Sequence, residues 1–387
     1  MGVLKFIRKT LIIILIIYIA LFGLTKAIRY PEPIAAIKLG IAPASKTPDL
    51  MPAHIIKAAV NPSIWMSGSE QMPATVDFEG SQVTFDEFLK STNTNAFLVI
   101  RDGVLTYEKY LNGMSARTRL PSYSVAKTMT SLMIGKLIDE GSIKESDTFV
   151  SILPQFKAGT SFDKVTIRDL LDMKAGVGVS DNYPTGPSGW GVAIAQMYAS
   201  TDIDWFLMHN RMMKEEPGTF AEYRSVDTQM LGMIIKKVTG RSLVDYFNES
   251  IWQKVGASEI ATWNVDRVGG TEKAFCCFNA TARDYALVGA ELIKPTSNII
   301  SSTWLTRIST SVVTLDYGWG YGAQVWHPYP GINLMLGLHG QFVWMDSANK
   351  TVIVKLSDEP TSSDGRSERV APVLKLMPGY GCQTWAP

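Results

Sequence analysis

Runs rich in β-branched and aromatic residues stand near both ends of this 387-residue chain, and helical spacing fills the middle. Near the front, Ala96-Phe97-Leu98-Val99-Ile100 and Val104-Leu105-Thr106-Tyr107 flank Arg101-Asp102-Gly103. Asp-Gly between two such runs predicts a hairpin, because both turn residues tolerate positive φ. Strands return late, over Ala323 to Trp326, Asn333 to Leu336, Phe342 to Met345 and Val352 to Leu356. A helix around Val370 to Leu376 follows them. Phe85, Phe88 and Leu89 predict a short helix ahead of the hairpin. From Gly141 to about Thr314 the spacing is mostly helical, with glycine-rich loops at Ala175 to Gly178 and Pro184 to Gly189. The expected class is α/β (α+β): an antiparallel sheet built from both ends of the domain, flanking helices, and an inserted mainly helical lobe at about 145–315. A site then lies in the cleft between sheet and lobe.

Three segments are expected. Lys5, Arg8 and Lys9 precede an uncharged Ile- and Leu-rich run from Thr10 to Thr25, and Lys26 and Arg29 follow. That pattern reads as a signal anchor or signal peptide over 1–28, with the rest of the chain exported to the periplasmic or extracytoplasmic face. A proline-punctuated extension or linker covers 29–82, and the domain proper covers 83–387. The formal net charge of +1 leaves no basic field for nucleic acid.

Pro121-Ser122-Tyr123-Ser124-Val125-Ala126-Lys127 opens the helix after the hairpin. Ser124 and Lys127, three apart on a helix, share a face. A serine becomes nucleophilic when a neighbour takes its proton, and a lysine held close either does so or tunes the group that does. Ser-x-x-Lys occurs three times: Ser124/Lys127, Ser161/Lys164 and Ser347/Lys350. Only the first heads an apolar stripe (Val125, Met129, Leu132, Met133, Leu137) ended by a C-cap glycine, Gly141. The other two lie in polar, turn-like sequence and read as solvated loops. The plain alternative for Ser124 is a capping serine beside a snorkelling lysine.

Two further stretches bear chemistry. Glu216-Pro217-Gly218-Thr219-Phe220-Ala221-Glu222-Tyr223-Arg224-Ser225 sets Tyr223 at a loop tip before the helix carrying Met230, Leu231, Ile234 and Ile235. A phenol beside an ammonium holds its anion more readily, which makes Tyr223 a candidate proton shuttle. Tyr198 and Tyr246 lie in helical patterns and read as packing. Gly337-Leu338-His339-Gly340-Gln341-Phe342 lies between two late strands, where glycines allow a substrate close to backbone. The backbone N–H groups of Ser124 and Leu338 are candidate oxyanion donors. His339 reads first as a packing histidine. Of three cysteines, Cys276, Cys277 and Cys382, one pair forms a bridge in an oxidising compartment, or all three are buried small residues.

Together these motifs resemble the serine β-lactamase and penicillin-binding-protein-like superfamily, on its class C and family VIII esterase side. Ser124-Val125-Ala126-Lys127 resembles its first motif, Pro217-Gly218-Thr219-Phe220 leading to Tyr223 its second, and Gly337 to Gln341 its third. Thr166-Ile167-Arg168-Asp169-Leu170-Leu171 and Asn279-Ala280-Thr281-Ala282-Arg283-Asp284 resemble further family segments. The resemblance runs from about Val83 to Leu376 and implies a β-lactamase-like fold. Within the superfamily it is strongest to 6-aminohexanoate-dimer hydrolases, which cleave a linear amide, because of the Gly-x-His-Gly-Gln form of the third motif. It implies Tyr183 and Asn279 near the substrate, and Ser225, His339 and Gly340 of the second and third motifs are further candidate substrate-binding residues. The third motif lacks its usual lysine, which in the family holds a substrate carboxylate, and Ser225 replaces the asparagine of the second.

The reading that follows is a serine hydrolase acting on a small-molecule amide or ester. Ser124 forms an acyl-enzyme, and Tyr223, tuned by Lys127, moves the proton. No metal or organic cofactor enters. The alternatives are a β-lactamase or D-Ala-D-Ala carboxypeptidase and a non-catalytic binder of cell-wall peptides.

Overall fold

The computed structural model describes residues 2–181, 192–360 and 367–380. Its centre is a nine-stranded sheet. From one edge the strands run Val313–Thr314, Gly320–Gly322, Val325–His327, Ile332–Gly337, Gln341–Asp346, Thr351–Ser357, Thr94–Arg101, Val104–Tyr110 and Met66–Ser67. All neighbours are antiparallel except the last pair. Thr351–Ser357 lies against Thr94–Arg101, so the two ends of the domain close one sheet, as expected from the pattern. Asp102 and Gly103 take φ of 47° and 80°, the double left-handed turn that a two-residue hairpin needs.

Both faces of the sheet are covered, so its strands alternate between two cores. Ala96, Leu98, Ile100, Val343, Met345, Val352 and Val354 face one core. Phe97, Val99, Phe342, Trp344 and Ile353 face the other, with Phe85 and Phe88 of helix Phe85–Ser91 and Val370 and Leu374 of helix Ser367–Tyr380. Helix Phe85–Ser91 starts at a capping box, Thr84 with Glu87.

Helix Val125–Asp139 lies in the first core. It is buried on more than an apolar stripe: Thr128, Thr130 and Ser131 are inside as well. Their hydroxyls donate to the carbonyls of Gln324, Ala274 and Ala323, which makes a polar face affordable in the interior. Gly141, with φ 72°, closes the helix.

Three expectations change in detail. The predicted strand at Ala323 begins at Val325, because Ala323 and Gln324 form a turn with φ of 46° and 68°. A second sheet of short strands, ordered Ala53–Ile56, Ala261–Asn264, Phe278–Ala280 and Leu120–Pro121, joins two strands of the helical lobe to two from earlier in the chain. The proline-punctuated stretch is folded onto the domain. It supplies strands Ala53–Ile56, Met66–Ser67 and Thr75–Phe78 and the start of Ser81–Thr84, and Ser45 bonds the Asp358 carboxylate. At the front, Val3–Ala27 forms a helix of mean hydropathy 2.3 with none of it buried, long and apolar enough to cross a membrane.

Candidate active site

Ser124 occupies the N-cap position of helix Val125–Asp139, yet its side chain makes no capping bond. Tyr123 before it takes φ 43°, which turns the chain sharply out of strand Leu120–Pro121 and presents the hydroxyl. Lys127 lies one turn on and is almost wholly buried. It does not snorkel. Its Nζ lies 3.2 Å from Ser124 Oγ, 2.8 Å from Ser225 Oγ and 2.9 Å from the Phe275 carbonyl.

The chemistry of those partners is unequal. The Phe275 carbonyl only accepts. Ser225 donates its hydroxyl proton to Asp181 Oδ2 at 2.5 Å and its N–H to Oδ1 at 2.8 Å, so toward Lys127 it also accepts. Ser124 is the one partner able to give a proton. A neutral Lys127 therefore spends two N–H groups on Ser225 and Phe275 and turns its lone pair to the Ser124 hydroxyl. Burial drives Lys127 toward that neutral form, down to about 8, while the charges of Asp181 and Asp227 oppose the shift. Burial likewise raises the Asp181 carboxyl, and nearby Lys127 limits the rise.

Tyr223 lies close to the lysine, with Nζ 5.1 Å from its ring centroid. Behind it, Trp326 stacks at 5.3 Å and Tyr321 meets it edge-on at 6.0 Å. The pocket before Ser124 is lined by Tyr123, Ile194, Tyr198, Ser225, Phe275, Cys276 and Leu338.

Leu338 reaches this pocket because Gly337 packs on the chain just before Ser124. A Cβ on Gly337 would overlap the Ser122 carbonyl oxygen. The turn that follows is held by Gln341, whose buried amide donates to the carbonyls of Leu338, His339 and Ser357. His339 packs edge-on against Tyr123 at 4.8 Å and bonds the Glu359 carbonyl through Nδ1. Gly340, with φ 77°, faces Glu359.

Ser124, Lys127, Tyr223, Ser225 and Leu338 thus converge. Asn279 sits one pocket away, with Thr47, Met51, Pro121, Tyr123, Tyr198, Asn264 and Cys277. Its amide donates to Thr262, Asn264 and the Cys277 carbonyl. Tyr183 lies outside the described residues. The other Ser-x-x-Lys lysines are at the surface, Lys164 near Glu216 and Lys350 on Asp102. Sequence reasoning missed Asp181, Cys276 and the pocket role of Tyr198. Asp181 stands in no recognisable motif, and Tyr198 shows only helical spacing.

The Beta-lactamase family profile matches residues 84–375, from the Phe85 helix to the last helix. The chain belongs to the Beta-lactamase family. Its members include serine hydrolases, and this one is a serine hydrolase of the β-lactamase and penicillin-binding-protein superfamily. A 6-aminohexanoate-dimer hydrolase from Paenarthrobacter ureafaciens is 29% identical over 302 residues, covering 71% of this chain and 75% of that protein. A Bacillus anthracis structure provisionally named as a 6-aminohexanoate-dimer hydrolase superposes with a TM-score of 0.79 at 24% identity, over 90% of this chain and 95% of the other. The structure of EstCE1, a hydrolase with promiscuous acyltransferase activity, superposes with a TM-score of 0.60 at 16% identity, over 76% of this chain and 96% of its own. The two likenesses to solved structures speak for the family fold.

Proposed function

We propose that this Beta-lactamase family member hydrolyses a small linear amide or ester, in the manner of the 6-aminohexanoate-dimer hydrolase it resembles. The observation that carries this reading is the placement of Lys127: buried, with its proton affinity lowered to about 8, and with Nζ 3.2 Å from the Ser124 hydroxyl. Lys127 takes the Ser124 proton as Oγ attacks the carbonyl carbon. The backbone N–H groups of Ser124 and Leu338 hold the oxyanion. Tyr223, beside the lysine, passes the proton to the leaving amine or alcohol. That departure leaves an acyl ester on Ser124. A water then gives its proton to the same pair, attacks the ester, and frees the acid and the serine hydroxyl.

The lysine missing from the third motif supports a substrate without the carboxylate that β-lactams and D-alanyl peptides present there. His339 of the same stretch is tied to the Glu359 carbonyl, and burial lowers its proton affinity. The N-terminal helix supports a membrane anchor. Lys5, Arg8 and Lys9 would hold the front on the cytoplasmic side and the domain on the far side.

The test is fluorophosphonate labelling of the full chain in detergent, with mass mapping, followed by hydrolysis assays on short acyl esters, linear 6-aminohexanoate dimer and a chromogenic cephalosporin. The expected result is an adduct on Ser124, absent in Ser124→Ala, with ester or linear-amide turnover exceeding cephalosporin turnover. Folded protein that takes no label and turns over none of the three would refute the reading.

A further inference from the structure

Cys276 and Cys277 are adjacent in sequence and joined by a disulfide. The bridge lies in the site. Cys276 lines the pocket with Ser124, Ser225 and Leu338, and Cys277 lines the next pocket with Asn279. We propose that this disulfide is a positioning element of the hydrolase site, holding the Phe275 carbonyl on Lys127 and shaping the pocket wall, and that its reduction by a dithiol lowers turnover. The proposal rests on the hydrolase reading above.

Phe275, whose carbonyl accepts from Lys127 at 2.9 Å, is bonded directly to Cys276. Beyond Cys277, strand Phe278–Ala280 pairs with Leu120–Pro121, and Ser122 N–H donates to the Phe278 carbonyl at 2.7 Å. The bridged pair therefore joins a support of Lys127 to the strand that leads into Ser124.

The flanks of the bridge are pinned. Trp263 Nε1 donates to the Cys276 carbonyl at 2.9 Å, and Asn264 N–H to the Cys277 carbonyl at 2.8 Å. Between these pins Cys277 holds φ 71°, a left-handed conformation that costs a residue with a Cβ free energy. The ring closed by the disulfide restricts the turn to few conformers. Two free thiols lift that restriction, and the turn then relaxes with Phe275 at its end. Both cysteines are buried, Cys276 in the wall of the Ser124 pocket and Cys277 in that of the next one.

The step balances as thiol–disulfide exchange. A dithiol gives two electrons and two protons to the Cys276–Cys277 bond, leaving two thiols on the protein and a cyclic disulfide on the reagent. An oxidising compartment, which the N-terminal segment implies, keeps the bridge formed.

The full chain is purified in a Cys382→Ser background, so that the pair is the only source of thiols. Alkylation and mass mapping, with and without dithiothreitol, count them. The expected result is none before reduction and two after. Reduction should lower kcat/KM for a short ester about tenfold, the scale of one hydrogen bond to a charged group. It should also move the midpoint of the pH profile downward, because the ammonium loses an acceptor, and diamide should restore both. Cys276→Ser and Cys277→Ser should share the lowered rate and ignore dithiothreitol.

Two free thiols in protein isolated under oxidising conditions would overturn the proposal. So would a complete reduction that leaves kcat/KM and the midpoint unchanged. Fluorophosphonate labelling of Ser124 in the same samples separates this failure from failure of the hydrolase reading.

Discussion

Turnover should climb with pH through the ionisation of Lys127. The perturbation is pH itself, read as kcat/KM on an uncharged short-chain ester. Burial brings Lys127 to about 8, so about one molecule in ten carries the free amine at pH 7. An unperturbed lysine would offer about four in ten thousand. The buried site thus raises the population of base about 200-fold at neutral pH. Initial rates between pH 5.5 and 9.5 should rise about tenfold per unit on the acid limb and level off about one unit above the midpoint. Asp181→Asn supplies a sign test. The Asp181 charge favours the ammonium, so its removal should shift the midpoint to lower pH. A flat profile, or one that falls through the same midpoint, would mean that the ammonium is the working form, and would refute Lys127 as the base. A midpoint that rises in Asp181→Asn would refute the electrostatic account.

Three more predictions follow from the geometry. Lys127 is depressed by folding, so the unfolded chain binds its proton more tightly between about 8 and 10.5. The wild-type protein should therefore gain stability relative to Lys127→Met as pH rises across that window, by up to about 3 kcal/mol, read by denaturant melts; a constant difference would count against the buried, depressed lysine. Gly337→Ala drives a Cβ into the Ser122 carbonyl and should push Leu338 away from Ser124, lowering kcat about 100-fold in protein that still melts cooperatively. Trp326→Ala removes the ring stacked on Tyr223 and should lower kcat about tenfold while Ser124 still takes the fluorophosphonate label; an unchanged kcat would show that Tyr223 needs no such support.

Much of this arrangement was readable from sequence because its signals are local. Asp102-Gly103 between two β-rich runs gives the hairpin, and the late strands from 332 to 357 carry enough apolar residues to declare themselves. Ser124 stood out from its two lookalikes because only its helix has an apolar run behind it. What escaped the sequence depends on the rest of the fold. Gly320–Gly322 pairs as a strand although two of its three residues are glycines, and non-glycine residues Ala323 and Gln324 take a turn that propensity does not propose. The second sheet uses strands of two to four residues, too short for a period to show. Asp181 is legible only once Ser225 is placed against it. The cysteine pair is obscured for a different reason: its Cα atoms are 3.7 Å apart, closer than the usual separation for a bridge, so adjacency argues against pairing until the turn is seen.

The seam between Thr94–Arg101 and Thr351–Ser357 also governs when this protein can exist as a folded body. Ser124 and Leu338 are more than two hundred residues apart in the chain. Neither core closes until the late strands have been synthesised and have come back to the early ones. Contacts of such long sequence separation make assembly slow, because loop closure must precede the packing that rewards it. During synthesis, then, the early hairpin waits with open edges, exposed to pairing with other chains. The same delay keeps Ser124 and Leu338 apart until the chain is nearly complete.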